Sequence, residues 1–178
     1  MLNDIEKILF SEEDIQRAVD RLGAAITEEY RDKFPVMIGV LKGCFVFMSD
    51  LVRRVQVPCQ IDFMSVSSYV GTSSTGAVKI TKDLSQDIEG RHIIIVEDIL
   101  DSGVTLHYLL DVLSVRKPAS VKICTLLDKP ARRKVELRSD YCGFECPDEF
   151  IVGYGLDYNE KYRNLPFIGV LRPELYGA

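Results

Sequence analysis

Residues 92–106 read H-I-I-I-V-E-D-I-L-D-S-G-V-T-L, and this stretch decides the fold. Ile93, Ile94, Ile95 and Val96 are consecutive β-branched residues, a short apolar run of the kind that forms a central strand buried on both faces. The run ends in charge at Glu97 and Asp98. After two apolar residues, Asp101-Ser102-Gly103 opens a turn into a helix expected over residues 105–116. A strand that hands over to a helix in this way belongs to an open α/β sheet, whose ligands bind at the carboxyl edge of the strands.

The residue types at that edge suggest a ligand. The amides of residues 101–105, which include Val104, and the hydroxyls of Ser102 and Thr105 would face an anion at the helix N-terminus. Gly103 lets the backbone approach closely. The loop lacks the G-x-x-x-x-G-K-[ST] pattern and its lysine, so one monophosphate fits better than a polyphosphate tail. Glu97 and Asp98 would repel a nucleoside triphosphate, yet a carboxylate accepts hydrogen bonds from vicinal hydroxyls. Phosphate and diol side by side describe a ribose 5-phosphate. Taken singly, acids at a strand end and a D-S-G turn are ordinary loop features. In combination they make the chain resemble the phosphoribosyltransferases, whose signature is this strand, acid pair and phosphate loop. The resemblance implies the type I phosphoribosyltransferase fold, an α/β architecture with a central, mainly parallel sheet, flanking helices and a small hood.

Bulk properties agree with a small-molecule enzyme. A chain of 178 residues, 47% hydrophobic, can bury one core and is most simply a single domain. A net charge of −5 without a basic block disfavours nucleic acid and anionic membranes as partners. The first fourteen residues are dotted with acids and carry no signal-like apolar core, and no apolar run approaches the ~20 residues of a membrane span. The expectation is a soluble, cytoplasmic protein. Five cysteines, an odd number with three inside apolar runs, point to reduced thiols. Cys142 and Cys146 have no histidine near them in sequence, which argues against a four-ligand zinc site.

Along the chain, Ser11 with Glu12, Glu13 and Asp14 reads as a capped helix start, and Ile15, Val19, Leu22, Ile26 and Tyr30 extend an amphipathic helix to about Lys33. Pro35 ends it. Residues 36–41 read as the first core strand, followed by Lys42-Gly43 and a helix over 45–54. That junction matches the one after the central strand and should place both loops on one side of the sheet, where a lysine could meet a second phosphate group. Residues 59–67 alternate into a second strand. Residues 68–78, S-Y-V-G-T-S-S-T-G-A-V, have little to bury and read as a mobile loop, with a returning strand over 79–83. Residues 120–127 form another β-rich run ending in Asp128-Lys129-Pro130. Beyond it the alternation of strands and helices fails, and the last fifty residues, about 128–178, with short strands at 141–146, 150–154 and 167–171, are expected to form the hood, to which the N-terminus could contribute.

Three further segments, L-L-D-K-P, P-D-E-F-I-V-G-Y-G and L-D-Y-N-E-K-Y-R, make the chain similar to the hypoxanthine-guanine phosphoribosyltransferases, over about residues 10–171. Their chemistry suits a planar base: a lysine can donate to a carbonyl oxygen and an aromatic ring can stack. The resemblance implies that Glu97 and Asp98 hold the ribose hydroxyls and residues 101–105 the 5-phosphate. It implies Asp101 as the catalytic base at purine N7, Lys129 at O6, Phe150 stacking and Ile151 giving backbone contacts. Lys42, Gly43 and Arg163 would meet pyrophosphate, across a Leu41–Lys42 peptide expected in the cis form. Ser68 and Tyr69 match the flexible loop that closes over the site, and closure would exclude water. Mg2+ would be the cofactor, placed by Asp157 together with Glu97 and Asp98. At Val104 some relatives carry lysine, which puts only the loop's charge in question. The implied reaction transfers the phosphoribosyl group of phosphoribosyl pyrophosphate to a 6-oxopurine in purine salvage, by a homodimer or homotetramer. A non-catalytic regulator that binds RNA or a nucleotide, a xanthine- or guanine-preferring transferase and a phosphotransfer domain using Asp98 as acceptor are the competing readings. The first should show a basic face that this acidic chain lacks, and the last lacks a second acid cluster.

Overall fold

The computed structural model describes residues 1–68 and 78–177. Its main sheet has six strands in the order β4-β3-β2-β5-β6-β7, formed by β2 (Val36–Leu41), β3 (Gln60–Ser68), β4 (Val78–Lys82), β5 (His92–Leu100), β6 (Ser120–Asp128) and β7 (Tyr141–Glu145). All pairings are parallel except β3 with β4. The helices are α1 (Glu12–Glu29), α2 (Phe45–Val52) and α3 (Val104–Ser114).

The four-residue aliphatic run works as a strand buried on both faces. Ile94 and Val96 join Met37, Phe47 and the buried side of α1 in one apolar cluster, while Ile93 and Ile95 join Ile38, Val40 and Leu106, Leu109 and Leu113 of α3 in the other. Each face of β5 therefore meets different helices, and Ile93, Ile94, Ile95 and Val96 are all 0% exposed. Burying such side chains contributes about 1.5–3 kcal/mol each. Helices α2 and α3 leave adjacent parallel strands, β2 and β5, for opposite faces. A crevice opens where neighbouring strands diverge in this way.

Several boundaries differ from the sequence reading. The central strand does not stop at Val96. It continues to Leu100 because β6 keeps pairing with it as far as Leu100↔Asp128, whereas β2 pairs with it only to Gly39↔Val96. Glu97 and Asp98 thus lie within the strand, on the side that β2 has left. Helix α1 starts on the expected box, with the Asp14 amide donating to Ser11 Oγ at 3.2 Å and the Ser11 amide donating to Asp14 at 3.0 Å. It ends at Glu29, four residues earlier than expected, where the Tyr30 cap leaves the helical region at φ −107° and ψ 22° with its amide still donating to the Ile26 carbonyl.

A second sheet, β1-β9-β8, holds β1 (Ile5–Phe10), β8 (Ile151–Val152) and β9 (Ile168–Leu171). Strand β1 had no counterpart in the sequence reading. Residues 141–145, placed there in the hood, are instead the edge strand of the main sheet beside β6. All five cysteines are free thiols. Among the described residues no helix is long and apolar enough to cross a membrane.

Candidate active site

The divergence of β2 and β5 leaves a cleft of about 270 Å³, lined by Leu41, Gly43, Glu97, Asp98 and the turn that carries Asp101, Ser102, Gly103 and Thr105. The two strand-to-helix loops meet here, as the sequence implied. The Leu41–Lys42 peptide is cis. Gly43 packs so tightly that a Cβ on it would lie 1.9 Å from Asp98 Oδ2, a contact only glycine permits. Gly103 caps α3 with φ of 79°, a left-handed conformation natural to glycine. Among the described residues the amides of Ser102, Gly103 and Thr105 donate to no protein acceptor, while the Val104 amide makes a long 3.4 Å bond to Ser102 Oγ. A turn with unspent amides at the N-terminus of an eleven-residue helix can accept an anion such as a phosphate.

The acids beside it are electrostatically uncomfortable. Burial, and then the neighbouring Asp98 charge, holds the Glu97 carboxyl well above the usual range. Asp98 is pushed up to about 6, chiefly by burial; its bond to the Ile99 amide and the Arg163 charge oppose the shift, and Asp157 adds to it. Folded Asp98 therefore holds its proton more tightly than unfolded Asp98. Its contribution to stability is complete below the unfolded value near 3.8 and is lost as pH rises through about 6. We expect Asp98→Asn to raise the Tm of the metal-free protein by a few degrees at pH 8. The gap should shrink to roughly half at pH 5 and close only as pH falls toward the unfolded value near 3.8. Thermal unfolding in chelator checks this, and an equal gap at both pH values would contradict it.

The segment 155–163 folds against this cleft. Gly155, at φ of 103°, sits where a Cβ would lie 2.2 Å from the Gly43 carbonyl oxygen. Arg163 pairs with Asp157 at 2.8 Å and donates to the Gly155 carbonyl at 2.7 Å, and its buried Nε has no partner among the described residues. Lys42 pairs with Glu160 at 3.1 Å, both of them exposed, so this contact is weak and free to be exchanged for a ligand. Lys42, Gly43, Asp157 and Arg163 are thus gathered at one place from distant parts of the chain.

A second, smaller cavity of about 200 Å³ adjoins the first, lined by Asp101, Lys129, Arg132, Phe150, Ile151 and Leu156. Asp101 borders both cavities, and its Oδ1 is buried without a hydrogen-bond partner among the described residues. Such an atom is costly unless a ligand completes it. Lys129 is only 7% exposed and donates to the Glu149 carbonyl at 2.8 Å, which leaves further ammonium protons for a ligand. Phe150 is 37% exposed and presents a ring to the cavity, and Ile151 opens β8 behind it.

Of the remaining expectations, Ser68 ends β3 and pairs with Val78, while Tyr69 and the loop through residue 77 lie outside the described residues. Among the described residues no group of three or more histidine, cysteine or carboxylate side chains is assembled for a metal. The donor set still suits magnesium, which is held by one or two carboxylates plus substrate oxygens and water rather than by a protein cage. Glu97, Asp98 and Asp157 would supply those carboxylates, and the Asp98 carboxyl is raised chiefly by burial, with the Asp157 charge adding to it.

Arg133 was missed. Its guanidinium donates to the carbonyl oxygens of Leu100, at 3.0 Å, and Asp101, and it pairs with Asp128; the next residue's amide donates to the Ser102 carbonyl at 2.9 Å. It holds the backbone of the phosphate turn in place. The only sequence signal was the basic run K-P-A-R-R-K, which ordinarily marks a solvated surface.

Comparison with known proteins accords with this geometry. The family model described as phosphoribosyl transferase domain matches residues 7–159. The chain is 57% identical over 177 residues to the hypoxanthine-guanine phosphoribosyltransferase of Bacillus subtilis, covering 99% of this chain and 98% of that protein. It is 53% identical over 175 residues to the enzyme of the same name from Streptococcus pneumoniae, covering 98% and 97%. The crystal structure of a hypoxanthine phosphoribosyltransferase from Staphylococcus aureus superposes with a TM-score of 0.96 at 52% identity, covering 100% of this chain and 97% of that one. With a matching family model, near-complete coverage and a shared fold, the chain belongs to the hypoxanthine-guanine phosphoribosyltransferase family.

Proposed function

We propose that this protein transfers the 5-phosphoribosyl group of phosphoribosyl pyrophosphate to hypoxanthine, guanine or both, giving the nucleoside monophosphate and pyrophosphate. The observation that carries the reading is the placement of Asp101. Its carboxylate oxygen, unpartnered among the described residues, stands on the wall shared by the cleft and the second cavity, where the base and C1 of the sugar would meet.

In the reaction, purine N9 bonds to C1 as the bond from C1 to the pyrophosphate oxygen breaks. Asp101 accepts or shares the proton on N7 as electron density moves to C1, the role of a general base. The amides of residues 102–105 hold the 5-phosphate, and Glu97 and Asp98 hold the ribose hydroxyls. Lys42, Gly43 and Arg163 receive the leaving pyrophosphate, the two cations exchanging Glu160 and Asp157 for phosphate oxygens. When bound, magnesium supplies charge compensation on the pyrophosphate. Lys129 sets the choice of base. An ammonium has donors and no acceptor, so it suits the carbonyl at C6 of hypoxanthine and guanine and offers nothing to the amino group of adenine. Phe150 stacks on the ring, and Ile151 supplies backbone contacts at its edge.

One domain carries the whole site, with the small sheet beside the base cavity. We infer a cytoplasmic enzyme acting on small molecules, as a homodimer or homotetramer. Steady-state assays with phosphoribosyl pyrophosphate, magnesium and each of hypoxanthine, guanine, xanthine and adenine test the reading. Turnover of hypoxanthine or guanine without turnover of adenine is expected. Turnover of adenine alone, or of no purine, would overturn it.

A further inference from the structure

We propose that Tyr176, near the C-terminus, is a positioning residue for the purine: its ring backs Phe150 on the side away from the base cavity and holds the stacking platform flat. The inference rests on the reading of Phe150 as the surface on which the base stacks.

The rings of Phe150 and Tyr176 are stacked, with centroids 4.4 Å apart and planes 21° from parallel. Phe150 lines the base cavity and Tyr176 does not, as expected of a tyrosine that stacks on the ring from the side turned away from the base. A second tyrosine, Tyr158, meets the same ring edge-on at 5.4 Å and 89°. Phe150 needs this support because it is 37% exposed and lies just outside β8, so the sheet itself does not fix its ring.

Tyr176 is in turn fixed by a short terminal turn. The Tyr176 and Gly177 amides both donate to the Pro173 carbonyl, at 3.2 and 2.7 Å. Arg172 ties that turn to the N-terminus, its amide donating to Asp4 O and its Nε to Asn3 O, each at 2.9 Å. The Leu171 amide donates to the Phe150 carbonyl at 2.9 Å, so the chain that carries the backing ring is joined to the residue it backs. The tyrosine touches no reacting atom. It acts through Phe150, by reducing the motion that the platform must lose when a base binds.

Kinetics on the full chain test this. An aromatic pair of this kind is worth about a three- to tenfold change in binding. Tyr176→Ala should raise KM for hypoxanthine by about that factor, with kcat within about twofold and KM for phosphoribosyl pyrophosphate unchanged. Tyr176→Phe should restore the parent value, because it keeps the ring. Tyr176→Leu, which keeps apolar bulk without a stacking face, should behave like alanine and serves where the alanine variant folds poorly. Leu175→Ala, which trims the exposed neighbour in the same turn, should leave KM for the base unchanged. An unchanged base KM in the leucine variant, or an equal rise in Leu175→Ala, would overturn the inference. A parent enzyme inactive with every purine would instead count against the function on which it rests.

Discussion

Asp101→Asn is expected to lower kcat by about 10² to 10⁴, the range typical of a lost general base. The substitution keeps the shape and leaves the phosphate-binding amides in place, so affinity for phosphoribosyl pyrophosphate should stay within several-fold. The size of the effect follows from the position. Oδ1 is buried and finds no partner among the described residues, so it is free to accept a proton from the base. Pre-steady-state and steady-state measurements together check the outcome, since product release can mask a chemical step. An unchanged single-turnover rate would remove Asp101 from the proton transfer.

Lys129→Ala is expected to lower kcat/KM for hypoxanthine by roughly 10²- to 10³-fold, because a charge-assisted bond is lost and the base carbonyl is left buried without a donor. The lysine is held ready by its 2.8 Å bond to the Glu149 carbonyl and by burial to 7% exposure. KM for the phosphoribosyl donor should barely move. Lys129→Met, which keeps the stem and loses the ammonium, separates packing from hydrogen bonding. A methionine variant as efficient with hypoxanthine as the parent would contradict the assigned role.

The parts of this site legible from residues alone were those in which local pattern and tertiary placement coincide. Four β-branched residues in a row admit few roles other than a doubly buried strand. The turn after them is an ordinary D-S-G turn by itself and became legible only in combination with the strand and acid pair before it. The end of the strand was not legible. Whether Glu97 and Asp98 are strand or loop depends on whether β6 goes on pairing after β2 has turned away, a property of two partners distant in sequence. Strand β1 stayed hidden because its burial is lopsided, one residue buried and three exposed before two intermediate ones, so I-E-K-I-L-F carries no clean alternation.

That the Gly43 loop lies beside the Asp98 edge followed from their matching strand-to-helix junctions, but the pairing of Lys42 with Glu160 was not legible, since no local period links residues so far apart. The family resemblance, rather than any physical reading, supplied the cis Leu41–Lys42 bond. Arg133 escaped both routes. An arginine that serves backbone carbonyls looks, in sequence, like any arginine of a surface loop, and only its burial and its partners reveal the clamp.

Everything turns on a ribose 5-phosphate lying across the gap between β2 and β5. The direct test is a crystal structure with inosine 5′-phosphate at saturating concentration. It should show the phosphate on the amides of residues 102–105, the ribose hydroxyls on Glu97 and Asp98, and the base between Phe150 and Lys129 with N7 toward Asp101. A nucleotide bound elsewhere, or this gap left empty, would contradict the account.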